Sequence, residues 1–545
     1  MTDEAELRRR LKLLKQHLGD GKIVISEHLR DGFPASFGTV RYGSDGEIDL
    51  STVDGRVRSM ALMMAGIDHR NQVKDATSLL EVQQLYFESI ETNFGDLYQH
   101  MVTAGATPHQ FSSALARHPE NVDHLYPVIS DFMGSLTEFW ESAADVVSYH
   151  LQDMNITKGV FGGDLFPVGN IASTCGLYLD TIVLTDPFMN CKSLFPRWGK
   201  EEAVRYLLKN AMNVLSYKEL ALADLPSPIV AILPFESSFK KEKYDTIAEW
   251  AKDDALIHAG RIFGRKFSSV EELRYFGASL DTPEKVAREV SDRERLLFDT
   301  EWTGSIEEQL QRAFQDWGVV AGAPNAGSYV ANQCLSRMMQ ATDLLAKSRS
   351  LGGIPLIEAE TSWRYFNWKL EYDAPVGEHN LPLHLLQGLQ WAGKNKMQWL
   401  GKIPPAALIE MRQQGAVDEI RSVLTAGVEE VSETNESNFM AIGEKIVENI
   451  NDAFAKHQEA LTEVKRKRLR FWGHDIGTWI VTGAIEVGAA FAGTPLFGLA
   501  SFAAGQVTDA PKLKDLPKGF RDVAEERSKV QKSPLALFFK HRTSG

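Results

Sequence analysis

The apolar residues between Val57 and Gln152 recur every three or four positions, which is the spacing of one face of an α-helix. The pattern is clearest in DFMGSLTEFWESAADVVSYHLQ, residues 131–152. The apolar positions on this face are Phe132, Leu136, Phe139, Trp140, Ala143, Val147 and Leu151. Strand residues alternate between two faces with a period of two, so a sheet does not fit this segment. The sequence therefore predicts a mainly α fold with a multi-helical body.

The composition is that of a folded globular protein, because 43% of the 545 residues are apolar and 24% are charged. A chain of this length exceeds a single hydrophobic core and predicts several domains. In chain order they are an N-terminal helix with a β-hairpin (1–55), a helical region (56–155), a small α/β centre (156–265), a second helical region (266–430), a long amphipathic helix (431–470), an apolar Gly/Ala-rich helical hairpin (471–511) and a basic tail (512–545).

The N-terminal residues and the cysteines indicate a cytoplasmic protein. In residues 1–22 the basic side chains are interleaved with leucines, which is not the order of a secretory signal. Four of these leucines predict a docking helix with one apolar face: Leu7, Leu11, Leu14 and Leu18. Cys175, Cys191 and Cys334 form no CxxC pair and fit a reducing compartment.

Two short β elements are predicted after this helix. KIVIS, residues 22–26, has the composition of a strand. GTVRYGSDGEIDL, residues 38–50, predicts a hairpin, because Asp45 and Gly46 are the residue types that occupy a tight turn between two alternating runs.

The α/β centre is predicted from three consecutive segments. Residues 177–188, LYLDTIVLTDPF, form a strand that ends where Pro187 removes a backbone donor. Residues 201–220 form a helix, and residues 229–235, IVAILPF, form a second strand. A connection of this length between two strands favours a parallel βαβ crossover. One such unit is predicted, and a full doubly wound sheet is not.

Three carboxylates in this centre are candidate catalytic residues. Asp180 and Asp186 fall on one face of the first strand, and Asp186 follows its carboxyl end, where ligands of open α/β sheets bind. Asp164, in GVFGGDLFPVGN, is a third candidate. Carboxylates are the ligands that Mg²⁺ prefers, so the three residues predict a magnesium-dependent nuclease or phosphohydrolase. The other interpretation is structural, since Asp before Pro is a common turn former.

Local signals beyond Phe267 predict further helices. Ser268 with Glu271 and Ser305 with Glu308 have the spacing of a capping box, and Thr282 precedes a proline at the first helical position. A helix is predicted from Ser328 to Lys347, after a glycine-rich segment that suits either a tight turn or an anion. Residues 361–373, TSWRYFNWKLEYD, combine aromatic and basic residues, which favours a buried core over base stacking.

The C-terminal region has an unusual composition. Residues 436–470 keep the spacing of one long amphipathic helix, which ends in KRKRLR. The apolar segment that follows contains Gly493-Thr494-Pro495, a turn signal that divides it into two helical legs, residues 476–492 and 496–507. Each leg is short for a membrane crossing. Glycine and alanine allow the two legs to pack closely, either in lipid or against protein.

Charge separates this module from the rest of the chain. Residues 465–545 contain 14 Lys and Arg against 7 Asp and Glu, and the whole chain carries −14, so the preceding residues carry −21. An apolar hairpin with a basic rim suits an anionic membrane surface or an acidic protein. The predicted membrane-contact residues are Trp479, Phe491, Leu496, Phe497 and Phe502. The basic rim comprises Lys465, Arg466, Lys467, Arg468 and Arg470.

Three functional hypotheses follow from the sequence. The first is a membrane-contacting effector or interaction protein, of a toxic or antiviral-defence type, whose acidic body restrains the hairpin. It would be cytoplasmic and peripheral to, or conditionally inserted in, the inner membrane, with an anionic membrane surface or a protein as partner. The second is the Mg²⁺-dependent enzyme, and the third is a purely structural partner-binding protein. The acidic body disfavours nucleic acid, and no cofactor other than this Mg²⁺ is predicted. The oligomeric state stays open.

Overall fold

A computed structural model describes residues 3–21, 33–163, 166–167, 169–176, 179–298, 302–318, 321–373, 399–400, 405–413, 470–471, 474–475 and 480–481. The described chain is mainly helical with a small parallel sheet, as the sequence predicts. It divides into two compact units, residues 1–82 with 145–153, and residues 83–144 with 154–545.

The smaller unit is built on the N-terminal helices α1 (Asp3–Gly19), α2 (Phe33–Gly38) and α3 (Gly55–Ala76). Leu11 and Leu14 of α1 are buried in its core and Leu7 packs against it, which confirms these parts of the predicted docking face, whereas Leu18 is exposed. The predicted hairpin is reduced to one antiparallel bridge between Tyr42 and Ile48, with Gly46 in its turn at a φ of 76°. The strand predicted at 22–26 lies outside the described residues.

The larger unit contains long helices before its sheet: α4 (Leu79–Thr103), α5 (Pro108–Ala116) and α6 (Pro119–Asp153). Some residues at the ends of α4 and α6 belong to the smaller unit. The predicted apolar face of α6 is buried except for Phe139, which is half-buried. The helical prediction for residues 57–152 is therefore confirmed.

The sheet has the strands β1 (Lys158–Phe161), β2 (Thr181–Leu184), β3 (Val230–Ile232) and β4 (Ile354–Leu356), in the order β3-β2-β1-β4 and all parallel. All four strands are buried along their whole length. Short helices α7 (Ile171–Cys175) and α8 (Pro187–Cys191) follow β1 and β2, and α9 (Lys200–Leu215) and α10 (Lys218–Leu222) lead to β3. The predicted βαβ unit is present, but its helix is divided at Ser216 and Tyr217.

The free edge of β3 is closed by a side chain instead of another strand. Gln83 of α4 is fully buried and donates from Nε2 to the Ile232 carbonyl at 3.1 Å, while its Oε1 accepts from the Ile232 backbone N–H at 2.8 Å. One primary amide thus satisfies both backbone groups that a neighbouring strand would pair.

The helices after the sheet's third strand are α11 (Lys241–Phe263), α12 (Val270–Ser279), α13 (Pro283–Glu289), α14 (Ile306–Trp317), α15 (Ala326–Leu351) and α16 (Glu360–Asp373). The Ser305 capping box and the Thr282 cap are confirmed. The Ser268 cap is wrong by one residue, because α12 begins at Val270 and Ser269 accepts from the Glu272 N–H. The helix predicted at 328–347 extends over 326–351.

The last described elements are β5 (Trp399–Leu400), α17 (Pro405–Gln413), β6 (Arg470–Phe471), β7 (His474–Asp475) and β8 (Ile480–Val481). β5 pairs with β8 and β6 with β7, both antiparallel. Within the predicted helical leg 476–492, the two residues of β8 are therefore extended. Arg470, predicted to end the long helix, is extended in β6, as are Phe471, His474 and Asp475 of the predicted hairpin module. The other residues of that helix and hairpin lie outside the described residues. None of the described helices combines the length and apolar character that a membrane crossing requires.

Candidate functional site

The order of the strands defines where a ligand of this sheet would bind. The chain moves from β1 to β2 and β3 on one side, and returns to add β4 on the other side of β1. In open α/β sheets the crevice at such a reversal, outside the carboxyl ends of the strands, is the usual ligand site. Here this point lies after Phe161 of β1 and Leu356 of β4, which are paired in register.

Two glycines follow β1 at this point, and each is required by its surroundings. A Cβ on Gly162 would lie 2.7 Å from Leu344 Cδ1 and 3.1 Å from Phe235 Cζ. Gly163 has a φ of +85°, and a Cβ there would lie 3.0 Å from the Ser362 Cβ. The chain therefore needs glycine both for close packing and for its left-handed backbone.

A small crevice opens beside Gly163, with an open space of about 210 Å³ that includes part of its mouth. We call it the switch-point crevice. Helix α15 contributes one face to it, at positions three or four apart. Its lining residues are Gly163, Arg337, Gln340, Ala341, Leu344, Ile357, Ser362, Tyr365 and Phe366. Gln340 is exposed at the mouth, whereas Leu344, Ile357 and Phe366 are buried.

Arg337 carries the positive charge of the switch-point crevice. Its Nη1 donates to Ser362 Oγ at 3.2 Å, and Ser362 Oγ donates to the Gly163 carbonyl at 2.8 Å. Within the described part of the chain, Arg337 makes no ion pair. A guanidinium has five N–H donors, and the hydrogen bond to Ser362 uses one of those on Arg337.

Tyr365 supplies a second unused donor. Its side chain is only 1% exposed, and its hydroxyl makes no hydrogen bond with any described residue. Burial raises the pKa of Tyr365 well above its ordinary value, and the charge of Arg337 acts in the opposite direction. The hydroxyl is therefore within electrostatic range of the guanidinium. The ring packs against His258 and Trp368, at centroid distances of 5.0 and 5.1 Å.

Asp186, a predicted catalytic residue, lies at the carboxyl end of β2 and is completely buried. It caps α8, accepting from the N–H groups of Phe188 at 2.7 Å and Met189 at 3.0 Å, and from Trp140 Nε1 at 2.5 Å. Burial raises its pKa to about 6, although these donors act to lower it. The nearby Tyr86 hydroxyl contributes to its environment but makes no well-formed hydrogen bond within the described residues.

Asp180 lies at the other end of the same strand. It accepts from the Thr157 N–H at 2.7 Å, and Arg412 of α17 donates to it at 3.2 Å. Asp180 and Asp186 are six positions apart along extended chain, a distance of about 20 Å. The structure therefore does not bring these two carboxylates together. Asp164 lies outside the described residues, and among those described no three His, Cys, Asp or Glu side chains are grouped to hold a metal.

The carboxyl end of β3 carries further ionisable groups. Lys347 of α15 donates to the Leu233 carbonyl, its Nζ lies 4.4 Å from the centre of the Phe235 ring, and burial lowers its pKa to about 7. Asp343, one turn earlier, accepts from the Ser237 hydroxyl, and burial raises its pKa to about 6.

Glu236 stands beside them at the end of β3. Burial alone would raise its pKa, but ion pairs with Lys240 at 2.6 Å and Lys243 at 3.2 Å lower it overall. Together with Asp343 and Lys347, this carboxylate therefore belongs to a set of groups that are each paired within the protein.

The residues predicted to contact a membrane, Trp479, Phe491, Leu496, Phe497 and Phe502, lie outside the described residues. The same holds for Lys465, Arg466, Lys467 and Arg468 of the basic rim. Arg470 is described only as part of β6.

Comparisons with known proteins leave the interpretation to this geometry: no family model, no curated protein and no solved structure matches the chain.

Sequence reasoning missed Arg337, Ser362 and Tyr365. The glycine pair after the apolar KGVF segment was the available signal, since it marks the end of a buried strand. Segment 361–373 was predicted to be core, and the burial of Trp363, Tyr365 and Phe366 confirms this. That correct interpretation also concealed the two polar residues of the same helix that line the crevice.

Proposed function

We propose that the larger unit binds a small anionic molecule in the switch-point crevice. The observation that carries this proposal is that Arg337 and Tyr365 line the same crevice. Among the described residues, Arg337 donates only to Ser362, and the buried Tyr365 hydroxyl has no partner.

An anion is the ligand that suits these donors. A buried donor without an acceptor costs about 1–3 kcal/mol, and a partly desolvated guanidinium adds to this cost. A ligand oxygen that accepts from both groups would remove that cost. Ser362 lies in the first turn of α16, where the helix dipole also favours negative charge.

The size of the crevice limits the ligand. The open space of about 210 Å³ includes solvent at the mouth, and the enclosed part of the crevice has room for about one water-sized group. A nucleotide or dinucleotide exceeds this space. The proposal is therefore restricted to small anions, or to the anionic end of a larger molecule that extends past Gln340 into solvent.

Isothermal titration of the full chain with sulfate, phosphate and acetate, at constant ionic strength, tests this function. We expect saturable binding of at least one anion and a loss of at least tenfold in affinity for Arg337→Gln, since hydrogen bonds to charged groups contribute about 1.5–3 kcal/mol. The matched control is Arg349→Gln, which removes an exposed arginine from the same helix. Equal weakening by both variants would mean that only net charge matters and would refute the site.

The membrane-contacting effector is a second proposal, favoured by the basic charge of residues 465–545 beside an acidic body. Co-sedimentation of the full chain with anionic vesicles tests it. We expect pelleting that is lost when Lys465, Arg466, Lys467 and Arg468 are all replaced by Glu. Equal pelleting of both proteins would remove the basic rim from this account. The positions of Asp180 and Asp186 give no support to the Mg²⁺-dependent alternative.

A further inference from the structure

The enclosed part of the switch-point crevice has room for about one water-sized group. Among the described residues, Arg337 donates only to Ser362 Oγ, and the Tyr365 hydroxyl has no partner although its side chain is buried. The Ser362 hydroxyl already donates to the Gly163 carbonyl at 2.8 Å. A ligand enclosed by these groups is therefore close to a single atom in size, with Arg337 and Tyr365 as its donors.

The charge of Arg337 decides between a neutral and an anionic occupant. Arg337 is half-buried and makes no ion pair within the described part of the chain. No Asp or Glu among the described residues lines the crevice. A partly desolvated charge without a counterion lowers the stability of the folded chain. A water molecule can accept the hydrogen bonds but brings no charge, whereas an anion supplies both.

Size then separates the anions. Sulfate, phosphate and acetate each consist of several heavy atoms, so one oxygen can enter the enclosed part while the rest of the ion stays at the mouth. A halide is a single atom close to a water molecule in size, and its whole charge can lie beside the donors. The guanidinium is more weakly hydrated than an ammonium, so it loses less when a halide replaces water around it.

We infer that the switch-point crevice is a halide site that takes chloride, with Arg337 and the Tyr365 hydroxyl as its donors. This inference rests on the proposed anion-binding function and narrows its ligand. The two donors belong to different helices, Arg337 to α15 and Tyr365 to α16. A chloride bound by both would link these helices and stabilise the folded chain by mass action.

The experiment is thermal unfolding of the full chain at increasing concentrations of sodium chloride. Sodium gluconate, whose anion is too large for the enclosed part, keeps the ionic strength constant. We expect chloride to raise the unfolding midpoint of the unchanged chain and of Arg349→Gln, and to have no such effect on Arg337→Gln. Tyr365→Phe should weaken chloride binding by about tenfold, because it removes a hydrogen bond to a charged acceptor.

Bromide provides a test of position. In crystals of the full chain soaked in sodium bromide, we expect an anomalous-scattering peak within hydrogen-bonding distance of Arg337 and the Tyr365 hydroxyl. A water molecule at that position, with no bromide peak there, would overturn the inference. Circular dichroism of each variant in chloride-free buffer establishes that a loss of binding is not a loss of fold.

The remaining outcomes separate this inference from the function on which it depends. If sulfate, phosphate or acetate binds at least as tightly as chloride in an Arg337-dependent manner, the halide is wrong and the anion site stands. If chloride raises the midpoints of Arg337→Gln and Arg349→Gln equally, the ion acts elsewhere on the protein and the inference is wrong. If neither chloride nor any of the three larger anions binds in an Arg337-dependent manner, the proposed function itself is refuted.

Discussion

At the carboxyl ends of β2 and β3, four ionisable side chains have partners in the protein: Asp186, Glu236, Asp343 and Lys347. At the ends of β1 and β4, by contrast, Arg337 and Tyr365 have donors that no described residue accepts. Both groups lie on the same edge of one sheet. Asp186 caps a helix, and Lys347 is bound to a strand-end carbonyl. At the ends of β2 and β3 the polar side chains thus stabilise the local fold. At the ends of β1 and β4 they include hydrogen-bond donors without a described acceptor.

This contrast limits what a shifted pKa indicates. Asp186, Asp343 and Lys347 have clearly shifted pKa values and lie at the paired ends, and Tyr365 has one in the crevice; burial is the largest cause of each shift. Perturbed groups often mark functional sites, but structural networks perturb pKa values as well. The proposed anion site therefore rests on donors without acceptors and not on a shifted pKa.

The substitution with the largest expected effect on this contrast is Asp186→Ala. Removing this carboxylate leaves three buried donors without an acceptor and abolishes the cap of α8, so we expect a loss of about 4 kcal/mol in the free energy of unfolding. Urea denaturation measures it. Asp245→Ala, at an exposed i,i+4 pair with Lys241, is the control and should change stability by less than about 0.5 kcal/mol. A loss below about 1 kcal/mol for Asp186→Ala would show that the carboxylate is not structural.

A smaller effect is expected at Gly162, which follows β1. Gly162→Ala places a methyl group against Leu344 and Phe235 and should destabilise the fold by about 2 kcal/mol. Gly134→Ala is the matched control, since its Cβ would meet nothing within 4 Å and α6 should gain up to about 1 kcal/mol. The prediction fails if the two substitutions have the same sign in urea denaturation.

The pH dependence of stability tests Lys347, one of the paired groups at the carboxyl end of β3. The pKa of Lys347 is lowered from 10.5 to about 7 in the folded chain, so the unfolded chain binds more protons between these values. Protonation in this range favours the unfolded chain. The free energy of unfolding is therefore unaffected by this group above pH 10.5 and falls as the pH decreases to about 7, with a slope of at most about 1.4 kcal/mol per pH unit. Lys347→Met should flatten the dependence between pH 7 and 10 in urea titrations. An unchanged slope would contradict a buried, shifted amine.

The smallest effect, and the most selective, comes from two tyrosines. The Tyr217 hydroxyl donates to the Gly169 carbonyl at 2.8 Å and accepts from the Ile171 N–H at 2.9 Å, so Tyr217→Phe should lose about 1 kcal/mol. Tyr365→Phe removes a hydroxyl without a partner and should leave stability unchanged or slightly increased. Differential scanning calorimetry compares them. A loss at Tyr365 equal to that at Tyr217 would mean that the hydroxyl is satisfied by the protein itself.

The helical part of the fold was predictable because its signal is repeated over many residues. The face of α6 contains seven apolar positions, and the pattern persists although one of them, Phe139, is only half-buried. β2 was predicted for a similar reason, since its β-branched residues are contiguous. By contrast, β1 and β4 are four and three residues long and include Lys158 and Pro355, which interrupt their apolar character.

The site was less predictable than the fold. Asp186 could be noticed from its place before a proline, but its partner Trp140 lies 46 residues away, so its structural role was not visible. The importance of Arg337 depends on which acceptors surround it, and those surroundings come from segments near residues 163 and 362. A sequence pattern shows residue types and their spacing. Whether a donor lacks an acceptor depends on residues that are distant in the sequence and close in the fold.

The amide of Gln83 at the border of β3 has a consequence for how this protein behaves in a crowded solution. By occupying the N–H and carbonyl of Ile232, it blocks part of the strand edge on which an extended segment of another molecule could be added. Replacing Gln83 with leucine would uncover that ladder, and the first symptom we expect is self-association during refolding instead of a change in ligand affinity.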